Sequence, residues 1–420
     1  MTKHLEIAGN ELKFGLVSER LQQFRSYFKR LDPIASPTSI ADEVYVAPPG
    51  RPVGEKIAGR LKLAPASAQL LVGNVGAGKT TQILRALQEL TSGGDTMAAF
   101  VDVSKQHNLN EDLRGVLTVL AGRKLTTLTT PAKNTPAGAA AQRFRDWANG
   151  YSEFVEYDGR DDWDDGPDEY DNGDYVQRPG LLSRPLPPLP AESKERGEAL
   201  RVLMTALPKE TPHFTVLFDS LDLLDPDAFR RAVVDDVRVL AGAGVGIAIV
   251  GPPRLLYGTD RPLVDLFDHL HSIPAVDVTR DVPGRTFFEA VLSKRIDAAV
   301  LPAKQKAALI GASGGILRDL LVLTRTAVEE AFLTESTKVG ADHVAIAIDQ
   351  LGRSLMMGLR AAEIETLQRL RRRGTFVATS DEELALIESR RVIEYPGVPT
   401  TRYGVHPTIE PLLATIADGK

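Results

Sequence analysis

The sequence predicts an α/β fold, a parallel sheet flanked by helices, followed by an all-α segment and a C-terminal unit of three helices and a two-stranded ribbon. Three observations predict it. Apolar runs of strand length alternate with stretches of helical spacing from Ala68 to Val278, and that alternation implies parallel strands joined by right-handed crossovers. From Pro283 onward helical periodicity continues without strands. Near the end, Arg391-Val392-Ile393-Glu394-Tyr395 and Arg402-Tyr403-Gly404-Val405 flank a Pro-Gly turn, which reads as a ribbon.

The central stretch is Gly73-Asn74-Val75-Gly76-Ala77-Gly78-Lys79-Thr80, which meets the phosphate-binding G-x-x-x-x-G-K-[ST] pattern at every specified position. Ala68-Gln69-Leu70-Leu71-Val72 precedes it as a strand, and a helix opening with Thr81-Gln82-Ile83 follows. Glycines let backbone amides turn inward, and the helix N-terminus adds positive potential at the same spot. Lys79 is placed to reach the β- and γ-phosphates of a nucleotide, and the Thr80 hydroxyl to complete the shell of Mg²⁺. Residues Gly73 to Thr81 are therefore the expected nucleotide contacts, with ATP and Mg²⁺ as cofactors.

The remaining elements follow in order. Leu21, Phe24, Tyr27, Phe28 and Leu31 have helical spacing, and a Pro-rich entry, Tyr45 to Pro52, leads to a short helix from Glu55 to Leu63. That entry reads equally as a wrap around the base or as a rigid linker. Met97 to Val103 is the second strand and Leu109 to Leu120 a helix. Thr126 to Thr135 lacks strong periodicity, and from Asp146 to Asp174 carboxylates dominate, interleaved with Trp147, Tyr151, Phe154, Tyr157, Trp163 and Tyr170. Such a charge density resists burial, so an insertion outside the sheet is expected. It reads as a solvated loop or as a docking segment for a basic partner.

Phe214 to Phe218 is the next strand, and Asp219 at its end is placed to hold Mg²⁺ through water. Asp222 is the nearest carboxylate for activating water, while Asp225 is better placed to cap the helix from Pro226. Val245 to Val250 ends near Arg254, a candidate γ-phosphate sensor, and Ile273 to Val278 is the expected last core strand. Helices are expected at Thr286 to Ala299, Ala303 to Ile310 and Ile316 to Glu330, with Arg318 able to reach the nucleotide. Three more follow, at Asp342 to Leu351, Ala361 to Arg373 and Ser380 to Glu388, the last with Ser380 and Glu383 at capping-box positions.

Composition narrows the function classes. With 420 residues, two or three domains are expected. The absence of Cys excludes disulfides, thiolate metal sites and thiol catalysis. No run is long enough to span a bilayer and the N-terminus carries no signal-peptide core, so a cytoplasmic protein without membrane contact is expected. A net charge of −6 gives no global attraction to nucleic acid.

With these pieces placed, the chain resembles the AAA+ and STAND branch of P-loop ATPases outside the acidic insertion. Gly314-Gly315-Ile316-Leu317-Arg318 is similar to the sensor 2 of origin-recognition-type AAA+ ATPases, which makes Arg318 the sensing arginine. Asp219-Ser220-Leu221-Asp222 resembles the D-G-L-D run of NACHT and NB-ARC signalling ATPases, with Ser220 where many P-loop ATPases carry the catalytic Glu. Gly314 to Leu317 is close to their G-G-L-P motif, and Val405-His406-Pro407 stands at their M-H-D, which implies a nucleotide contact for His406. No arginine immediately precedes Ile273 to Val278, which speaks against a ring ATPase.

The resemblance implies an N-terminal helical segment (1–47), a P-loop nucleotide-binding domain (48–282) with an acidic insertion at about 125–195, a helical lid (283–340) and a winged-helix domain (341–420). It also implies an ATP-binding molecular switch with slow or conditional hydrolysis to ADP, controlling a partner protein in bacterial signalling or defence. The catalytic set would be Lys79, Asp219, Asp222, Arg254 and Arg318, and a protein partner or self-association is expected. The alternative is a DNA-binding origin-recognition-like initiator or loader. The acidic run Asp381-Glu382-Glu383 on the third winged-helix helix predicts weak, non-sequence-specific DNA binding at most.

Overall fold

The computed structural model describes residues 19–33, 44–149, 152–154, 181–183, 193–257, 261–395, 397 and 400–418. The acidic stretch therefore lies largely outside the described residues.

Helix α1 (19–30) precedes α2 (Val53–Leu63), β1 (Ala68–Gly73), α3 (Lys79–Ser92) and β2 (Thr96–Asp102). Then come α4 (Val116–Thr129), α5 (Pro136–Asn149), a small antiparallel pair β3 (Ser152–Phe154) and β4 (Leu181–Ser183), α6 (Ser193–Met204), β5 (His213–Asp219), α7 (Pro226–Gly242) and β6 (Gly246–Val250). A short α8 (Arg261–Val264) leads to β7 (His269–Ile273). The main sheet has the order β2-β5-β6-β1-β7, all parallel. The strand bearing Asp219 is thus separated from the P-loop strand by β6.

Both faces of the sheet are covered, as a parallel sheet requires. Leu71, Leu217, Ala248 and Val250 pack against Ile57 and Leu61 of α2 and Ile83, Ala86 and Leu90 of α3. On the other face Leu70, Val216, Phe218 and Ile247 meet α4 to α7. The side chain of Asp225 caps α7 by accepting from the Ala228 N–H at 2.8 Å, worth about 1 kcal/mol.

Three expectations shift. The helix expected from Leu109 begins only at Val116, because Gly115 sits at φ 82° and turns the chain just before it. The region expected to leave the sheet at about 125 continues through α4 and α5, where Ala140, Ala141 and Phe144 are buried and Trp147 packs edge-on against Phe144. Gly122 makes room for the Phe144 ring, which lies where a Cβ would stand. The last core strand is His269–Ile273, not Ile273 to Val278. Its partly exposed pattern is that of a sheet edge, and the segment after it instead crosses over the lid, with Val276 N–H donating to Gly315 O at 3.1 Å. Leu266, Phe267 and Asp268 immediately precede the observed strand, and Arg261 lies eight residues before it, at the start of α8.

Beyond the sheet lie α9 (Val282–Ser293), α10 (Ala303–Ala312) and α11 (Leu317–Leu333). They are followed by α12 (Ala341–Met356), α13 (Ala361–Arg373), α14 (Asp381–Glu388), the antiparallel pair β8 (Val392–Tyr395) and β9 (Arg402–Val405), and α15 (Glu410–Asp418). This is an all-α lid followed by a winged helix. Ser380 and Glu383 form a reciprocal capping box on α14. One continuous core runs through both units, from Phe288 and Leu292 through Leu320, Leu323 and Val344 to Leu386, Val392 and Val405. Helix α1 joins the same core through Phe24, Tyr27 and Leu31. Its Arg20 donates to the carbonyls of Ala331, Phe332 and Ser336 at the C-terminus of α11. No helix among the described residues is long and apolar enough to cross a membrane.

Candidate nucleotide site

The P-loop joins β1 to α3 at the C-terminal edge of the sheet. Gly76 and Gly78 hold φ values of 85° and 93°, a left-handed geometry that glycine adopts without steric cost. The resulting turn aims backbone amides at one concavity, in line with the N-terminus of α3. Lys79 is buried, and its Nζ donates to Gly73 O at 2.7 Å and Asn74 O at 3.1 Å.

The same ammonium lies 3.0 Å from Asp222 Oδ2. Asp222 sits on a short turn, Leu221–Leu223, after Ser220, which itself has φ 72°. That backbone reversal carries Asp222 from the end of β5 back across β6 to the P-loop. Any anion that binds this ammonium would compete with that carboxylate.

Asp219 is 5% exposed and accepts from the Thr80 hydroxyl and, at 2.9 Å, from the Ser220 N–H. Burial pushes its pKa up despite those two bonds, with the charges of Asp222 and Asp102 acting in the same direction. A divalent cation would relieve that burial cost and that repulsion. The hydroxyl and the carboxylate meet, a donor set that fits Mg²⁺ and that would hold it, Thr80 and Asp219 being the residues concerned. Asp102 is a residue that sequence reasoning missed. It pairs in register with Asp219 across β2 and β5 and accepts from the Ser220 hydroxyl at 2.7 Å. It ends an apolar strand just as Asp219 does, and that signal was available.

Arg318 opens α11. Its N–H donates to Gly76 O at 3.2 Å, and a Cβ on Gly76 would overlap the Arg318 Cβ. The lid thus rests directly on the P-loop, and among the described residues the Arg318 guanidinium has no ion-pair partner. Leu317 lies 3.8 Å from where a Gly78 Cβ would be.

Arg254 and His406 both have protein partners in this structure. Arg254 turns to the winged helix, with Nε 2.9 Å from Glu388 Oε1 and a terminal nitrogen 3.2 Å from Asp381 Oδ1. His406 is 0% exposed and offers no surface to a ligand in this conformation. Its Nδ1 is 2.8 Å from Thr408 Oγ1, and its Nε2 lies 3.4 Å from Asp319 Oδ2, while the other oxygen of that carboxylate pairs with Arg390. His406 thus contacts Asp319, the residue that follows Arg318, and in this conformation is closed to direct contact with a ligand.

A cleft of about 330 Å³ opens beside the P-loop, lined by Val75, Asp222, Asp225, Arg254 and Glu388 among others. It brings together the P-loop, the turn after β5, the segment after β6 and the end of α14.

No protein-family model matches the chain, and no curated protein matches its sequence. Solved structures of similar fold include the Aeropyrum pernix ORC2 protein in ADPNP–ADP complexes, at 14% identity and a TM-score of 0.44 over 90% of this chain and 96% of that one. Drosophila ORC bound to DNA matches at 13% identity and a TM-score of 0.41, over 94% and 91% of the two chains. The Thermotoga maritima RuvB Holliday junction branch migration motor matches at 13% identity and a TM-score of 0.36, over 85% and 94%.

Proposed function

We propose that the chain is an ATP-binding conformational switch of the AAA+ type, with slow or conditional hydrolysis, in which the nucleotide sets the position of the lid and winged helix. The observation that carries this reading is the bond from Arg318 N–H to Gly76 O. A lid helix seated on the phosphate loop cannot ignore what the loop binds.

The coupling continues outward. Gly314 and Gly315 hold positive φ at the turn before α11, and Tyr395 of β8 donates its hydroxyl to Gly314 O at 2.9 Å. Ile316, Ile393 and Tyr395 bury one another, so a movement of Arg318 carries the ribbon with it. A γ-phosphate drawing on Arg318 would bias this two-state arrangement only by the difference in its contacts between the states. Asp222 as water-activating group and Asp219 with Thr80 as the Mg²⁺ site complete the proposal.

A second reading, an origin-recognition-like initiator or loader, is favoured by one observation: Arg371, Arg372 and Arg373 form an exposed run at the end of α13 without an ion pair among the described residues. The signalling or defence setting is not carried into the proposal.

The test is calorimetric titration of the protein with ATP and ADP, with and without Mg²⁺, and phosphate release over hours. Micromolar or tighter binding that Lys79→Ala abolishes supports the reading. Absence of binding by the wild type overturns it.

A further inference from the structure

Resting on that reading, we propose that the carboxylates of α14 are an intramolecular competitor of the γ-phosphate for Arg254, so that the winged helix is held down until a nucleoside triphosphate displaces it. Arg254 follows the C-terminal end of β6, the strand between the P-loop strand and the Asp219 strand. It lines the same cleft as Val75 and Asp222. In the structure its guanidinium is committed to two carboxylates, Glu388 and Asp381, and it also approaches the Asp381 carbonyl at 3.5 Å. No other partner of Arg254 is found among the described residues.

A guanidinium binds carboxylate and phosphate by the same forked geometry. Glu388 lines the cleft together with Arg254, so a terminal phosphate entering there meets an arginine already occupied by an anion of the same recognition class. The exchange is poised for two reasons. Asp381 is 87% exposed and Arg254 25% exposed, so each pair is partly screened and easily replaced by a more highly charged ligand. The contact is also not isolated: Tyr257, on the same segment, donates its hydroxyl to Glu394 of β8. The segment after β6 thus clasps the winged helix at two points and faces the nucleotide cleft at a third. ADP, which lacks the terminal phosphate, leaves the clasp shut.

This role also accounts for the acidic character of α14. Carboxylates there are ill suited to a DNA groove, and they match an arginine.

The experiment measures affinities for ATPγS and ADP by fluorescence titration, and the separation of two dyes, one on the nucleotide domain and one on α13, by energy transfer. Wild type is expected to lengthen that separation with ATPγS and not with ADP. The double variant Asp381→Asn, Glu388→Gln should raise the ratio of ATPγS to ADP affinity at least fivefold and open the pair with ADP alone. Arg254→Ala should open it with either nucleotide and lower the ratio. An unchanged ratio and separation in the double variant, with normal nucleotide binding by the wild type, overturns this inference and leaves the switch reading standing. Failure of the wild type to bind either nucleotide removes both.

Discussion

At the scale of single residues, Lys79 and Asp222 form the decisive pair. The ammonium is satisfied by two P-loop carbonyls and one carboxylate, so its burial is compensated before any ligand arrives. Lys79→Ala is expected to weaken nucleotide binding at least about 100-fold, on the order of 3 kcal/mol, because a buried phosphate charge loses its partner; calorimetry reads this directly. Asp222→Asn is expected to leave nucleotide affinity equal or higher, since the competing charge on Lys79 is gone, and to slow phosphate release at least about tenfold through loss of water activation. Wild-type turnover in that variant would end the role of Asp222. A different residue controls pH response. His271 accepts no proton readily: burial first, and the charge of Arg60 next, push its pKa from 6.5 down to about 4. Between those values the unfolded chain binds a proton and the folded one does not. His271 therefore contributes stability that is fully present above pH 6.5 and lost as pH falls toward 4, about 2 kcal/mol of it by pH 5. Asp236, raised to about 6 by burial, acts oppositely over the same window. The comparison is therefore between wild type and His271→Gln in urea titrations at pH 7 and 5, with the variant losing about 2 kcal/mol less on acidification.

At the scale of elements, the contact of the P-loop with α11 is the one most exposed to test. Gly76→Ala meets two penalties, a left-handed φ costing about 1–2 kcal/mol and the Arg318 Cβ in the space of the new methyl. Gly94 has φ 78° with nothing within 4 Å, so Gly94→Ala carries the first penalty alone. Gly76→Ala should lose nucleotide binding and more stability than Gly94→Ala in parallel urea melts and titrations; equal losses would show that lid and loop do not press on each other. The P-loop and α3 were legible in the sequence because their geometry is local: glycine spacing, a strand before, a helix after. Strand β7 was misplaced because its edge position tolerates His269, His271 and Ser272, while the apolar Val276 and Val278 after it serve the lid core instead. Helix α5 was hidden by small residues, whose packing value depends on Phe144 meeting Gly122 on α4. Likewise the partners of Arg254 lie more than a hundred residues away, at Asp381 and Glu388, and no local pattern announces such a pairing.

At the scale of the whole molecule, the distribution of bound and free arginines decides what the winged helix can do with DNA. Arg390 pairs with Asp319, Arg391 donates to the carbonyls of Leu355 and Met357, and Arg402 pairs with Asp277 at 2.6 Å while lying over the Tyr395 ring. Arg390 and Arg402 hold the winged helix to the lid and to the segment after β7, Arg391 ties β8 to the end of α12, and a phosphate backbone would have to outcompete those contacts. Helix α14, which would have to enter the major groove, carries Asp381 and Glu388 against Arg254 and Glu383 in its own cap. What remains is the run Arg371, Arg372 and Arg373 at the end of α13. Three phosphate contacts give a slope of log K against log salt near about −3 and leave affinity in the range of non-specific binding, roughly 10⁻⁴ to 10⁻⁶ M at physiological salt. Duplex DNA titrated by fluorescence anisotropy should therefore bind weakly, without sequence preference, and Arg371→Glu with Arg372→Glu should remove about two units of that slope. If ATPγS opens the clasp at Arg254, α14 is uncovered as well, yet its carboxylates still repel phosphate, so adding ATPγS should change DNA affinity by less than about tenfold. Sub-micromolar, sequence-selective binding that depends on those arginines would instead make the initiator reading the better one.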